Sequence, residues 1–328
     1  DGTFDPSWGD DGIASTGIGT FSNCLRPLVA SDGRTYCAGA SNGGQDAASD
    51  VDFAIHAYEA NGALRTDFDG DGIFVVDPPE QSFSEGLVMV EASNGDLIVA
   101  GNQFILPSFT PINLIGFRVS PAGVAVGGYS ISSPSTSIQA GFLAANDELV
   151  LAGVAGGSWW IGRYQGNSSP DSGFGTGGII TGPAGTVHGI IPLGQDFMAV
   201  GISGGTVATA FYNQNGVLIS SYGEDGLALT NLSFSSRALN GAVRDREGRI
   251  LLVGRDQGQP AVVRLTVDGF PDTSFGVGGK VTVDTGLPID NQRSGGFGIA
   301  IDPIGRIVIT GAVGAGGSEQ VVVARLWP

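Results

Sequence analysis

The chain has 328 residues, with 56 glycines and 32 acidic against 15 basic side chains, a formal charge of −17. Glycine is more than twice its usual share of about 7%, and charged residues, at 14%, fall well below the usual ~25%. So acidic a chain excludes a nucleic-acid grip, which needs a basic stripe to displace phosphate counterions, and argues against docking on anionic lipid. The hydrophobic fraction of 41% is enough for a packed core, so disorder is not expected. No stretch approaches the roughly 18 uninterrupted apolar residues of a membrane helix, so no membrane span is expected. Lys280 is the only lysine. With the acidity and the Ser/Thr/Gly/Asn-rich turns, this composition points to an extracellular or periplasmic bacterial protein. No leader precedes Asp1, as expected of a mature end left by signal cleavage or of a trimmed chain.

One phrase recurs in chain order: an apolar strand, a polar turn, then a second apolar strand closed by glycine. It reads LVASDGRTYCAG, VEASNGDLIVAG, LAANDELVLAG, PLGQDFMAVG, VRDREGRILLVG and IDPIGRIVITG, closing at Gly39, Gly101, Gly153, Gly201, Gly254 and Gly311. The intervals are 62, 52, 48, 53 and 57 residues, and the interval around the termini is 56. A second phrase follows each: an alternating strand, a turn, and a strand begun by an aromatic residue. Its aromatics are Phe68, Tyr129, Phe174, Tyr222, Phe275 and, at the N-terminus, Trp8. Period-2 alternation between Gly, Asn and Asp turns marks strands. No 3.6-residue apolar stripe appears, so helix content should be very low. Six four-stranded antiparallel units at this period predict one all-β domain over residues 1–328, a six-bladed β-propeller.

The termini suggest how the ring closes. Arg163 precedes Asp171 by eight residues and Arg264 precedes Asp272 by eight; read as a circle, Arg325 precedes Asp5 by eight as well. The N-terminal segment is therefore expected to be the outer strand of the blade that ends the chain, leaving no loose sheet edge. These three pairs are read as structural ion pairs between third and fourth strands. The first unit has Ala57 and Arg65 at the two positions and the fourth has Phe211 and Ile219, so neither should carry the pair. Arg118 in the second unit has no matching aspartate.

Segments such as PDTSFGVGGKVTV, AIDPIGRIVITG and NQNGVLISSYGEDG resemble the bacterial delta-60 repeat, roughly LDxSFGxxGxV, AxQPDGKIVVAG and FAxARYNxDG. The likeness covers nearly the whole chain and is weakest in the second unit. It implies a β-propeller in an extracellular or cell-surface protein, and it brings no enzymatic activity and no catalytic residues.

In such a fold the longer connections, Ser41–Val51, Asp77–Glu85, Asn102–Ile112, Thr230–Asn240 and Asp284–Gly296, share one face. Variable loops on a rigid scaffold are where binding concentrates. Phe104 and Phe109 fall in one of these loops, and an exposed apolar patch marks an interaction site. Trp159 and Trp160 begin a third strand; alternation sends one of them outward, where Trp159 near the mouth would stack on a sugar ring. His188 should begin an inner strand near the mouth, and Glu85, Asp284 and Asp290 lie in mouth-side loops as the carboxylates available for acid–base chemistry. His56, mid-strand, is read as packed or satisfied within the sheet.

Asp67, Asp69 and Asp71 have the spacing that opens a calcium loop, but position twelve is Pro78, and the run lies on an outer-strand turn. Calcium is thus the one ion to consider, and no cofactor is required. Two GxSxG matches, around Ser41 and Ser203, are not followed by the helix a serine nucleophile needs. Cys24 and Cys37 are too few for a disulfide framework. A turn at Ser31–Gly33 sets Cys37 opposite Leu28 and Cys24 about four residues further on, a gap of ~13 Å that a disulfide spans only with a bulge or an early-ending strand, while an oxidising compartment and an even cysteine count favour the bridge. The expected function is a monomeric, non-enzymatic recognition or scaffold module whose partner is a glycan or a protein surface. A polysaccharide hydrolase or lyase working through mouth carboxylates is the alternative.

Overall fold

The computed structural model describes residues 6–11, 13–16, 22–41, 51–76, 82–105, 108, 110–131, 137–166, 168–234, 239–286, 295–315 and 318–328. Among the described residues twenty-three strands form six antiparallel sheets. The first sheet is β1 (Ser22–Val29), β2 (Thr35–Ser41), β3 (Asp52–Tyr58) and β4 (Ile73–Val76). The second is β5 (Ser82–Glu91), β6 (Leu97–Ile105), β7 (Thr110–Val119) and β8 (Ala125–Ser130). The third is β9 (Ser137–Leu143), β10 (Leu149–Ala155), β11 (Ser158–Tyr164) and β12 (Ile179–Ala184). The fourth is β13 (Thr186–Leu193), β14 (Asp196–Ser203), β15 (Thr206–Tyr212) and β16 (Leu227–Leu229). The fifth is β17 (Leu239–Arg244), β18 (Ile250–Asp256), β19 (Gln259–Leu265) and β20 (Lys280–Thr282). The sixth has three strands, β21 (Gly295–Ile301), β22 (Ile307–Ala315) and β23 (Ser318–Leu326). Among the described residues the helical content is one 3₁₀ turn, Ala145–Asp147, and no helix is long and apolar enough to cross a membrane.

The chain divides into two compact units, Asp1–Gly156 with Gly162–Asp171, and Gly157–Ile161 with Ser172–Pro328. In the first unit Tyr36, Phe53, Ile55 and Phe68 pack with Leu97, Val99 and Val119 into one buried cluster. In the second, Val200, Val207 and Tyr222 pack with Ile250, Leu252 and Val263, while Leu251, Val253 and Phe275 pack with Ile307 and Ile309. Both faces of a middle sheet are therefore buried, which is why the second strand of each unit reads as a continuous apolar run.

The recurring glycine has a steric cause. In all six sheets the first strand carries one extra residue, at Leu25, Leu87, Gln139, His188, Asn240 and Phe297. The closing glycines lie opposite the residue just before each bulge, for example Gly39 against Cys24 and Gly254 against Leu239. A bulge bends the strand and re-aims its carbonyls. A Cβ on Gly39, Gly101, Gly201 or Gly311 would fall onto the carbonyl oxygen of Asn23, Glu85, Thr186 or Gly295.

The bulge at Leu25 also settles the cysteines. Cys37 pairs with Pro27, one residue off the register expected from the turn, and Cys24 pairs with Gly39. The skipped residue draws the two Cα atoms to 5.6 Å, and Cys24 and Cys37 are joined in a disulfide.

Arg264, 3% exposed, donates to Asp272 at 2.8 Å and to Ser274 at 3.0 Å, and lies over the Phe275 ring. Arg163 likewise pairs with Asp171 and, at 3.3 Å, with Glu148. The third predicted pair is not described, because Asp5 lies outside the described residues; Arg325 is exposed on β23. The first and second sheets, which lack the eight-residue pair, carry other ion pairs. In the first, Arg65 sits where the others have aspartate, and bonds Asp67 at 2.8 Å and the Tyr36 hydroxyl at 2.9 Å. Arg118 finds Asp96 at 2.7 Å, an acid from the hairpin of its own sheet rather than from eight residues downstream. The backbone bond beneath these positions is the same, Arg65 N–H to Ala57 O, Asp171 to Arg163 and Asp272 to Arg264. The scaffold is repeated, and the ion pair is an optional lining on it.

Candidate functional site

In the first unit the bulged strands bring three polar side chains together. Arg26 on β1 donates to the carbonyls of Leu25 and, from Nε at 2.7 Å, of Leu87, so one guanidinium holds the bulges of two neighbouring strands. Glu85 on β5 is half-buried and faces Asn102 on β6. Burial raises its carboxyl above the ordinary glutamate range, opposed by a hydrogen bond from Asn102 and by the charge of Arg26. Asn102 is buried and accepts from Ile138 N–H at 2.7 Å, so its side chain ties the second sheet to β9 and fixes the surroundings of Glu85. A half-buried carboxyl with a raised pKa holds its proton to higher pH than a free glutamate does.

In the second unit His188 is the bulge residue of β13 and bonds the Thr186 hydroxyl through Nε2 at 2.8 Å. Burial pushes its imidazole down to about 4, so the ring is neutral at physiological pH. Asn240 occupies the same position on β17 and donates to Gly296 O at 2.8 Å; Phe297 occupies it on β21 and is exposed. The bulge thus presents a different side chain on each unit of a constant backbone.

The other predicted residues fall as follows. Phe104 does not lie in a loop: β6 runs on to Ile105 in register with β7, and the Phe104 ring packs 6.3 Å from Phe83. The run NQFI pairs on both sides, and backbone pairing extends the strands where the repeat phase suggested a loop. Ile105 at its end is 44% exposed. Phe109 and Asp290 lie outside the described residues, as do 42–50, 77–81, 235–238 and 287–294 of the longer connections. Trp159 does not face outward. It and Trp160 are both buried, and the Trp159 indole N–H donates to Ile202 O at 3.2 Å. Each face of β11 packs against protein, so alternation sends neither ring to solvent. Asp284 is exposed and caps its own turn through Gly286 N–H.

Asp67, Asp69 and Asp71 do not assemble a calcium site. Asp67 is held by Arg65, Asp71 accepts from Ile73 N–H at 2.9 Å, and Asp69 belongs to a turn whose N–H bonds Ala122 O. Among the described residues no group of three or more His, Cys, Asp or Glu side chains is placed to hold a metal ion. Other carboxylates serve as clasps: Glu91 takes both the N–H and hydroxyl of Ser31, and Asp147 those of Ser93. Ser203 ends β14 and is followed after two glycines by β15; Ser41 ends β2, and 42–50 after it lie outside the described residues.

The first sheet holds a cavity of ≈ 290 Å³ that sequence reading missed. Trp8, Thr16, Asn23, Thr35, Tyr58, His56 and the Cys24–Cys37 bridge are among its walls. His56 is packed within the sheet, 5% exposed, as expected, and its Nδ1 is without a hydrogen-bond partner. A signal was present in the sequence: Thr35 and His56 are polar at repeat positions where other units are apolar.

No family model matches the sequence, and no curated protein matches it. Solved structures do. A protein from Lactobacillus plantarum is 12% identical with a TM-score of 0.54, over 96% of this chain and 86% of that one. A putative 6-phosphogluconolactonase from Bacteroides fragilis is 11% identical with a TM-score of 0.51, over 93% and 85%. Virginiamycin B lyase from Staphylococcus aureus is 11% identical with a TM-score of 0.50, over 92% and 83%. At such identity the likeness shows the fold alone: an all-β chain of the β-propeller kind. Function must be argued from sites rather than from that fold.

Proposed function

We propose that the chain is a delta-60-type β-propeller of six blades, acting outside the cytoplasm of a bacterium as a non-enzymatic recognition or scaffold module for a glycan or a protein. Two local facts support the closure. Among the described residues the sixth sheet has three strands. The Trp8–Gly9 segment bonds the Asn61 carbonyl of the first sheet, as Asp69 bonds Ala122 and Gly175 bonds Asn215, so it occupies the place of a preceding unit's outer strand.

The binding reading rests on the second sheet. Its extended β6 carries Phe104 against Phe83 and ends in the exposed Ile105, at the same end of the sheet as the Glu85–Asn102–Arg26 group. An apolar crest beside hydrogen-bonding groups suits a partner surface or the faces of a glycan. A glycan array and capture from cell-surface extracts test it. Binding by the native chain that falls at least tenfold in Phe104→Ala/Ile105→Ser supports the reading; a blank screen, or binding indifferent to these changes, overturns it. Glu85 favours the alternative, a polysaccharide hydrolase or lyase in which this half-buried carboxyl, its pKa raised by burial, is the general acid. Polysaccharide cleavage that Glu85→Gln abolishes would establish that alternative instead.

A further inference from the structure

We propose that the groove between the hairpin ends of β13 and β17 binds a small apolar monocarboxylate, independently of the crest on the second sheet. Residues 190–194 form one wall and 242–245 the other, with ≈ 530 Å³ between them. That volume lies within the range of small-molecule sites, roughly 300–1,000 Å³. Both strands and their turns belong to the second compact unit, so neither wall is borrowed from the first.

The groove lies where two departures from the repeat coincide. Opposite the residue four places before each closing glycine stand Val29, Glu91, Leu143, Pro192 and Ile301, whereas β17 has Arg244 there, facing Ile250. In the second sheet Glu91 uses this position to take the N–H and hydroxyl of Ser31, which bridges the corresponding gap between β1 and β5. Between β13 and β17 the place of Ser31 falls to Gly194, where a Cβ would meet nothing within 4 Å. The clasp is lost, and the gap stays open.

Charge and apolar surface together decide the ligand. Ile191, Pro192, Leu193 and Val243 supply an apolar wall. Beside it Arg244 is exposed and engages only its Nε, with the carbonyl of Gly248 at 3.2 Å. Arg249 occupies both acids of this hairpin, Asp245 at 2.7 Å and Glu247 at 3.0 Å. Among the described residues no carboxylate therefore answers Arg244, whose outer nitrogens match the planar, two-point geometry of a carboxylate. The formal charge of −17 repels a polyanion, so a single charge on an apolar body suits the groove.

Calorimetry on the full chain with 3-phenylpropionate, its amide, 3-phenylpropylamine and acetate tests the proposal. The first should bind, and more weakly as salt is added. The amide, which lacks the charge, and acetate, which lacks the apolar body, should each bind at least tenfold more weakly, and the amine should not bind. Arg244→Gln and Pro192→Glu, both at exposed positions, should each cost at least tenfold in affinity. Phe104→Ala should leave it unchanged, which separates this groove from the crest. The proposal is overturned if 3-phenylpropionate fails to bind at tens of millimolar, if the amide, the amine or acetate matches it, or if affinity survives either groove variant in folded protein.

Discussion

The first and fifth sheets have the same backbone plan and opposite contents. In the fifth, Ile250 faces Leu265 and Leu252 faces Val263, all fully buried. In the first, the matching pairs are Thr35 with Tyr58 and Cys37 with His56, and they border a cavity. The charges also trade places. The fifth buries an arginine on β19 and answers it from Asp272, whereas the first puts its arginine in the later position and answers it with Asp67 and a tyrosine. A bulged, glycine-closed blade tolerates either lining, so the repeat specifies backbone while individual units are free to acquire sites.

The largest expected break in this comparison is at the ion pairs. Removing one partner of a buried pair leaves an uncompensated charge and costs about 3–5 kcal/mol. Arg264 is buried and Asp272 nearly so, so Asp272→Ala should lower the urea midpoint by a loss of that size. Asp67 is exposed, and Arg65 keeps its Tyr36 bond, so Asp67→Ala should leave the midpoint close to native. Equal losses in the two variants would show that the pairs are interchangeable.

His188 gives the next effect, confined to acid. Its folded pKa of about 4 lies below the unfolded value, so the stability it contributes is complete above about pH 6.5 and is lost as the pH falls through 4. At about 1.36 kcal/mol per unit, the full swing is on the order of 3 kcal/mol. Thermal melts from pH 7 to 4 should show a steeper decline for the native chain than for His188→Gln. Parallel declines would mean that the ring titrates normally.

How much of this was legible in sequence follows from what repetition can and cannot encode. Strand order, the closing glycines and the Arg264–Asp272 pair were readable, because the same steric or charge demand recurs in several units. The bulge was not, since it is an extra residue whose identity varies from Leu25 to His188 to Phe297. The turn register and the missed bulge each displaced Cys24 by one residue, from opposite Ser41 to opposite Gly39. Phe104 and Trp159 were misplaced because an apolar run in a loop position and an alternating pair were judged without their neighbouring strands. Thr35 and His56 were visible as exceptions, but an exception in one unit marks a site only once its neighbours are seen to leave space.

A smaller and related break lies in the disulfide. Cys37 occupies the position that Leu252 holds in the fifth sheet, so a covalent link to β1 stands where the fifth sheet has packing. With a sequence separation of 13 residues, chain-entropy arguments give a contribution of just under ~3 kcal/mol. Cys24→Ser/Cys37→Ser should melt lower by that amount, and the reduced native chain should match it. No change would place the first sheet's stability in its packing alone.

The smallest effect has the opposite sign. Thr35→Leu gives the first sheet the side chain that the second carries at the same register position, in Leu97. Filling the cavity exchanges a hydroxyl at an unfilled wall for apolar contact with Tyr58 and the disulfide, worth about 1 kcal/mol. The variant should therefore melt slightly higher than the native chain, and Thr35→Ser should not. If Thr35→Leu instead melts lower by 1 kcal/mol or more, the leucine has met a wall rather than a space, and the first sheet is packed as tightly as the fifth.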